Sequence, residues 1–186
     1  MLRSHFQAAV WLGMLLFLSC GNPDTAPSQP PTAPAPSEEE LVMRLSESLS
    51  SEDSPLARER NALINYAIDH LWDIQVHPKG FYYQVLNPGE GKPIQWGQEL
   101  NAHYRTYNLD GQVIDESYRR QKPMRFQVGS MIPAWNEALQ LVKPGAQLRL
   151  LCPSDLAYGA EGLVAPSGDT IIRPHTTLLF DITLLP

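Results

Sequence analysis

Apolar and polar residues follow two different periods along this chain, and the change falls near residue 78. Before that point, apolar residues recur every three or four positions, which is the spacing of a helix face. From Phe81 onward they alternate with polar residues, as expected for strands that bury one face. The pattern therefore predicts an N-terminal helical segment over 38–77 and a strand-rich domain over 78–186.

The helical segment should contain two helices. Ser37 and Glu40 have the spacing of a capping box, so the first helix should begin directly after Ser37. Ser54 followed by Pro55 marks the start of the second helix, because proline is favoured in a first turn. That helix should end before Pro78. The residues expected to face inward are Leu41, Leu45 and Leu49 in the first helix, and Leu63, Ile64, Ala67, Ile68 and Leu71 in the second.

The domain after residue 78 should be built from five or six antiparallel strands. Turn residues separate the β-prone runs, and Asp110 followed by Gly111 is a strong hairpin signal. One short helix is expected between the fourth and fifth runs. We therefore predict an α+β fold, in which a curled antiparallel sheet wraps around this helix. The runs are residues 81–86, 100–106, 113–114, 124–128, 148–152 and 178–184.

The short helix should begin at Pro133, because proline has a helical φ and lacks an amide hydrogen that a first turn leaves unpaired. Trp135 lies in the first turn of this helix, on the face that should pack against the sheet. Near Trp135 the sheet should therefore leave a small apolar floor. We predict that this floor is the functional site. The expected apolar face is Trp135, Ala138, Leu139 and Val142, and the expected polar face is Asn136, Glu137 and Gln140.

The N-terminus has the pattern of an export signal followed by a spacer. Arg3 precedes an uncharged apolar run that ends at Leu18, and Ser19-Cys20-Gly21 follows it. The run is short for a membrane span and has signal-peptide flanks. We predict a lipoprotein signal peptide over 1–19 and lipidation of Cys20, with an ordinary secretory signal as the alternative. Prolines throughout 20–37 predict an extended tether, with a proline-recognition ligand as the alternative.

Composition and charge narrow the possible function classes. The chain has 186 residues, 43% of them apolar, which suits one ordinary domain with tails. Its formal net charge is −6, and no basic patch stands out, which argues against nucleic-acid binding. The five histidines are too scattered for a zinc site, so we expect no metal and no cofactor. Cys152 is expected to be a small buried side chain and not a nucleophile.

A series of short motifs in the strand-rich domain resembles one known family. In chain order the motifs are His103-Tyr104, Asp110-Gly111, Ile114-Asp115, Ser117, Lys122-Pro123, Gly129, Ile132, Trp135, Pro144-Gly145, Ala157-Tyr158-Gly159, Ile171-Ile172 and residues 178–185. In order and spacing, this series resembles the FKBP-type peptidyl-prolyl cis-trans isomerases over residues 81–186. With the lipidation signal and the tether, the chain resembles the bacterial envelope lipoproteins of this type, and more weakly those that serve gliding motility.

The resemblance implies catalysis without a nucleophile or a metal. Rotation about an X-Pro bond has a barrier of roughly 18–20 kcal/mol, because twisting the bond destroys amide resonance. The twisted amide is less dipolar than the planar one. A dry apolar pocket that accepts the proline ring can therefore favour the twisted form selectively.

The resemblance also assigns roles to individual residues. Trp135 would form the floor of the pocket, and Tyr158 would donate its hydroxyl to a substrate carbonyl. The backbone amide of Ile132 or of Ile172 would bind another carbonyl. The catalytic residues implied in this way are Tyr104, Asp115, Trp135 and Tyr158. The implied substrate-binding residues are Ile114, Arg120, Met124, Phe126, Met131, Ile132, Ile172 and Phe180.

Departures from the family pattern leave two hypotheses. Ile114 and Met124 stand where active members carry aromatic residues, and the loop over 159–170 is long enough to be a lid or a chain-binding surface. The first hypothesis is an isomerase that assists the folding of exported proteins. It would act on proline-containing polypeptides in the bacterial cell envelope, anchored through Cys20 in the outer membrane and facing the periplasm. The alternative is a non-catalytic binding or chaperone module of an envelope complex. The oligomeric state stays open.

Overall fold

The computed structural model describes residues 35–186. The predicted signal peptide, the lipidation site at Cys20 and the tether up to residue 34 lie outside the described residues. The helices are α1 (Glu38–Ser46), α2 (Pro55–Asp69) and α3 (Pro133–Leu139). The strands are β1 (Gln75–Val76), β2 (Tyr82–Asn87), β3 (Glu99–Tyr107), β4 (Val113–Glu116), β5 (Met124–Gln127), β6 (Gln147–Cys152), β7 (Leu163–Val164), β8 (Thr170–Ile172) and β9 (Leu178–Leu184).

The main sheet is antiparallel and contains seven strands in the order β1-β2-β6-β9-β3-β4, with β5 also paired to β3. Strand β3 is the longest and pairs with β5 near its start, with β4 near its end and with β9 from Ala102 to Tyr107. This arrangement confirms the predicted α+β fold. The structure adds β1, which is too short to give a periodic signal, and a separate hairpin of β7 and β8.

Helix α3 lies against one face of the sheet and supplies the core of that side. Its start at Pro133 and its buried apolar residues confirm the sequence prediction. Strand β3 alternates as expected, and its inward residues meet those of β9 across the sheet, with Tyr104 opposite Ile182 and Thr106 opposite Phe180. Because successive side chains of a strand point to opposite faces, this register places every second residue of both strands beneath α3.

The two N-terminal helices cover the opposite face of the sheet. Tyr82, Leu151 and Leu179 are cross-strand neighbours on β2, β6 and β9, and together they form an apolar row on that face. We call the buried group that forms there the outer cluster. Its members are Leu41, Leu45, Leu63, Ile64, Ala67, Ile74, Tyr82, Leu151 and Leu179. Residues 36–186 form one compact unit.

The predicted helix starts are confirmed. Ser37 and Glu40 form the reciprocal capping box, and the Ser54 hydroxyl accepts a hydrogen bond from the amide of Ala57 at 3.2 Å. The inward stripe of the first helix was wrong at Leu49. Helix α1 ends at Ser46, so Leu49 falls beyond the helical stripe and is exposed. The inward stripe of the second helix was wrong at Leu71 for the same reason, because α2 ends at Asp69 and Leu71 is 48% exposed.

Asn136 was also placed wrongly, on the polar face of the short helix. It is 6% exposed, and its side chain is bonded to the backbone that precedes α3. A polar side chain can be buried at little cost when its hydrogen-bonding groups are satisfied. Helical periodicity cannot anticipate such partners. Among residues 35–186, no helix combines the length and the apolar composition needed to cross a membrane.

Candidate active site

A cavity of about 480 Å³ opens between α3, the inner face of the sheet and the β7–β8 hairpin. We call it the Trp135 cavity. It collects residues from segments far apart in the chain, and apolar side chains form most of its wall. The lining residues are Tyr104, Thr106, Ile114, Asp115, Arg120, Met124, Met131, Ile132, Trp135, Tyr158, Leu163, Ile171, Ile172 and Phe180.

Trp135 forms the floor of this cavity and is held by three aromatic neighbours. The rings of Tyr104, Phe126 and Phe180 meet the indole edge to face, with centroid distances of 5.9, 5.7 and 5.6 Å. Edge-to-face contacts place the positive edge of one ring against the negative face of another, which stabilises the arrangement. The floor is therefore a rigid apolar surface.

One wall of the cavity carries a hydrogen-bonded polar group. Arg120 follows β4 on a short 3₁₀ helix (Tyr118–Arg120), and it donates to Asp115 Oδ1 at 2.7 Å and to the Tyr104 hydroxyl at 2.6 Å. The Tyr104 hydroxyl in turn donates to the other carboxylate oxygen of Asp115. Each of the three side chains fixes the other two, so the wall presents a defined charge distribution to a ligand.

The environment shifts the pKa values of this polar group. Burial alone would raise the pKa of Asp115, but hydrogen bonds from Tyr104 and Arg120 outweigh it, and the pKa lies below its usual value. Burial, reinforced by the hydrogen bond to Asp115, raises the pKa of Tyr104. At neutral pH the group therefore consists of a carboxylate, a guanidinium and a neutral phenol.

Besides the buried indole Nε1 of Trp135, two hydrogen-bond donors at the cavity are free of protein partners within residues 35–186. The Tyr158 hydroxyl makes no hydrogen bond there, and neither does the backbone amide of Ile132. Burial raises the pKa of Tyr158, with a smaller contribution from the charge of Asp115, so its hydroxyl stays protonated at neutral pH. A donor inside an apolar cavity is costly without an acceptor. These donors are therefore suited to bind carbonyl groups of a ligand.

Asn136 holds the backbone that presents the Ile132 amide. Its Oδ1 accepts from the amides of Gly129 and Met131 at 2.7 and 3.2 Å, and its Nδ2 donates to the carbonyl of Met131 at 2.6 Å. Gly129 has a φ of +107°, and a β carbon there would lie 2.7 Å from the indole of Trp96. The positive φ is what requires glycine, since the exposed indole of Trp96 is free to shift. The segment between β5 and α3 is therefore closely fixed.

The long loop after Tyr158 contains the β7–β8 hairpin. A tight turn at its tip, closed by the Ala165 amide bonding to the Asp169 carbonyl at 2.8 Å, returns the chain toward the cavity. Leu163 and Ile172 face each other in the hairpin and both line the cavity, as does the half-exposed Ile171. The loop thus forms one wall of the site.

Among residues 35–186 there is neither a metal-binding cluster nor an accessible thiol. Across residues 35–186, no group of three or more His, Cys, Asp or Glu side chains is arranged to hold a metal ion. Cys152 is fully buried, as predicted, and burial raises the pKa of its thiol well above the usual range. A thiol in that state is a poor nucleophile.

The sequence model of the family described as FKBP-type peptidyl-prolyl cis-trans isomerase matches residues 90–185, which is more than half of the chain. The chain belongs to the FKBP family. This match confirms the resemblance inferred from the motifs, and the matched region contains every residue that lines the Trp135 cavity.

Several bacterial proteins are similar to this FKBP chain. The isomerase FkpA of Escherichia coli is 33% identical over 60% of this chain, and the outer membrane protein MIP of Legionella longbeachae is 36% identical over 60%. These alignments cover 39% and 46% of the two relatives, so this chain matches less than half the length of either.

Solved FKBP structures share the fold. A peptidyl-prolyl cis-trans isomerase from Pseudomonas syringae pv. tomato has a TM-score of 0.59 at 31% identity, over 74% of this chain and 98% of that one. The crystal structure of Escherichia coli FkpA has a TM-score of 0.60 at 26% identity, over 80% of this chain and 65% of that one. The structural similarity to FkpA therefore covers more of the chain than the 96 residues matched by the family model.

The cavity brings together all but one of the site residues inferred from the FKBP resemblance. Phe126 does not line it and lies behind the floor, against Trp135. Three lining residues, Thr106, Leu163 and Ile171, had not been assigned to the site. The alternation of β3 places Thr106 on the same face as Tyr104, and the apolar pairs on either side of the turn over 165–169 were an overlooked hairpin signal.

Proposed function

We propose that this chain catalyses the cis-trans isomerisation of X-Pro peptide bonds in polypeptides. The observation that carries the proposal is the Trp135 cavity, in which a rigid aromatic floor is combined with the Tyr158 hydroxyl and the Ile132 amide, both without protein partners within residues 35–186. The floor suits the apolar proline ring. The donors suit the carbonyl groups on either side of it.

The proposed mechanism uses binding energy and no covalent step. A peptide enters with its proline ring over Trp135, and the Tyr158 hydroxyl and the Ile132 amide hold neighbouring carbonyls. The X-Pro amide loses dipole moment as it twists, so the apolar wall opposes the twisted form less than it opposes the planar one. The cavity thereby lowers the rotation barrier.

The polar wall has a separate part in the proposal. Asp115 is fixed by two donors, so its carboxylate cannot swing toward the peptide. Its negative charge lies in the wall of the cavity, next to Ile114 in the chain. We assign to it the orientation of the substrate amide and the electrostatic response to the changing amide dipole, and we assign to Arg120 the positioning of that carboxylate.

The proposal is tested by replacing Tyr158 with phenylalanine. One lost hydrogen bond of about 1 kcal/mol should lower kcat/KM on short X-Pro peptides by about fivefold. The free energy of unfolding should stay unchanged, because this hydroxyl bonds to none of the residues 35–186. The matched control is Tyr83→Phe. The Tyr83 hydroxyl donates to Gln75 over 2.9 Å, and neither residue lines the cavity, so this variant should leave kcat/KM unchanged. A well-folded parent no faster than buffer would refute the isomerase.

We further propose that the protein works in the bacterial cell envelope, assists the folding of exported proteins and is anchored through lipidated Cys20 with its folded unit facing the periplasm. The support is the signal pattern around Cys20 and the similarity to a relative whose name is outer membrane protein MIP. Mass spectrometry of the protein purified from membranes should find acyl chains on Cys20, and Cys20→Ala should release the protein from outer-membrane fractions. An unmodified, soluble parent would contradict the anchor.

The non-catalytic binding module is kept as the second candidate because of the cavity rim. Ile114 and Met124 give aliphatic walls, and Val164 and Ile171 are exposed apolar residues on the adjoining hairpin. Such a surface suits holding an unfolded chain. Suppression of aggregation of an unfolded test protein by an isomerase-inactive parent, lost in Val164→Ser with Ile171→Ser, would favour this function over catalysis.

A further inference from the structure

Helix α2 carries two half-buried charged residues, Glu59 and Arg60, and Glu59 reaches the segment that bears Tyr158. Glu59 is one turn before Leu63 and two turns before Ala67, both of which are buried in the outer cluster. A half-buried carboxylate on such a stripe is costly unless it is hydrogen-bonded. Its partners therefore indicate what it does.

Both oxygens of Glu59 are bonded to one residue, 95 positions away along the chain. Oε2 accepts from the backbone amide of Ser154 at 2.7 Å, and Oε1 accepts from the Ser154 hydroxyl at 2.9 Å. Ser154 is buried and begins a short 3₁₀ helix (Ser154–Leu156), so its amide has no partner within that helix. The carboxylate of α2 supplies the missing partner.

Ser154 in turn organises the turn around Tyr158. Its carbonyl accepts from the amide of Ala157 at 3.0 Å and from the amide of Gly159 at 2.8 Å, the residues on either side of Tyr158. Glu59 thus binds the amide and hydroxyl of Ser154, and the Ser154 carbonyl binds the turn that contains Tyr158. A second contact runs in parallel, since Arg60 of α2 lies 3.8 Å from Asp155.

We propose that Glu59 is a positioning residue, through which the N-terminal helical segment sets the place of the Tyr158 hydroxyl in the Trp135 cavity. This inference rests on the proposed isomerase function for its kinetic consequence, but its mechanical part stands on the hydrogen bonds alone. It makes the helices a working part of the site, in addition to a cover for the sheet.

The first measurement is amide hydrogen exchange in the full chain. Glu59→Ala should raise the exchange rates of the Ala157 and Gly159 amides by about fivefold or more, because the turn loses its anchor. Glu59→Gln keeps an acceptor for the Ser154 amide and a donor for its hydroxyl, so its rates should stay within about twofold of the parent. The matched control is Arg58→Ala, the neighbouring residue on the exposed side of α2, which should change neither rate.

The second measurement separates positioning from general destabilisation. Glu59→Ala should lower kcat/KM on X-Pro peptides by about two- to fivefold in the parent, and by less than about 1.5-fold when Tyr158→Phe is already present. A residue that acts through the Tyr158 hydroxyl has nothing left to act through in that background. Ser154→Ala removes the hydroxyl contact and keeps the amide contact, so it should give a smaller loss that likewise disappears when Tyr158→Phe is present, and it decides the question if Glu59→Ala does not fold.

Two results would overturn the inference: unchanged exchange of Ala157 and Gly159 in Glu59→Ala, or an equal loss of kcat/KM with and without the Tyr158 hydroxyl. A parent without isomerase activity would instead refute the proposed function. The exchange rates would then still decide whether Glu59 anchors the turn.

Discussion

At the scale of single residues, the cavity depends on side chains that hold one another. Tyr104, Asp115 and Arg120 form a closed set of hydrogen bonds, and the guanidinium carbon of Arg120 also lies 5.7 Å from the centre of the Tyr104 ring. The side chains of Arg120 and Asp115 are about half exposed, so their ion pair contributes only modestly to stability. Its main effect is to fix the orientation of a carboxylate beside an apolar site.

The lowered pKa of Asp115 makes this set sensitive to acid. A carboxyl group with a lower pKa in the folded than in the unfolded state adds stability above its unfolded pKa of about 3.9, and that stability is lost as the pH falls through the folded pKa. The parent should therefore exceed Asp115→Asn in free energy of unfolding by more at pH 6 than at pH 2–3. Urea unfolding of both proteins across this range measures the difference.

An Arg120→Gln background provides a control for the comparison of the parent with Asp115→Asn. When Arg120 is replaced by glutamine, a donor and a positive charge are removed, so the pKa of Asp115 should rise. The acid-induced loss should then occur at higher pH than in the parent background. A difference between parent and Asp115→Asn that grows as the pH falls would contradict the assignment.

At the scale of elements, the connection from β5 to α3 is fixed by a side chain of the helix itself. Asn136 lies in the first turn of α3 and satisfies three backbone groups of residues 129–131, which would otherwise be left without these partners. The helix thereby shapes the segment that leads into it. This is how the Ile132 amide comes to lie free at the cavity.

Loss of the Asn136 hydrogen bonds should destabilise the fold substantially. Asn136→Ala leaves two amides and a carbonyl unsatisfied in a largely buried place, so the free energy of unfolding should fall by about 2–4 kcal/mol. Gln140→Ala is the control on the same helix. It removes one exposed amide that donates to the carbonyl of Asn136, and it should cost less than about 1 kcal/mol. Equal costs measured by urea unfolding would show that Asn136 does not brace the loop.

At the scale of the whole compact unit, the sheet has a core on each face. Leu151 and Leu179 point toward the helices α1 and α2, while their neighbours Leu150 and Phe180 point toward α3. Because strands β6 and β9 serve both cores, loss of packing on one face should weaken the other. The helical segment and the FKBP sheet should therefore unfold together.

This coupling is tested in α1. Leu45 is 1% exposed in the outer cluster, so Leu45→Ala should lower the free energy of unfolding by about 2–5 kcal/mol. The loss should be the same by far-UV circular dichroism and by tryptophan fluorescence. Met43→Ala is the control, because Met43 is 57% exposed on the same helix and should cost at most about 0.5 kcal/mol. An earlier transition in circular dichroism alone would mean that the helices unfold separately.

The local part of the fold could be predicted because it depends on neighbours in the chain. Ser37 and Glu40 are only three positions apart and form a capping box. Pro133 favours a helix start because of its own ring, and the alternation of β3 is visible within nine residues. The aromatic floor at Trp135 and the roles of Tyr158 and Asp115 came from the order and spacing of motifs that resemble the FKBP family. None of these inferences required knowledge of which strands are paired.

The tertiary structure alone decided which distant groups meet. The sequence by itself determined the helix starts, most of the strands and the α+β class, since those follow from periodicity and capping over short distances. It did not reveal that Asn136 is buried, that Glu59 bonds to Ser154, or that Leu163 and Ile171 line the cavity. Each of these depends on a partner brought close by the path of the backbone, and a hydrogen bond or a cavity wall leaves no periodic trace in the residues that form it.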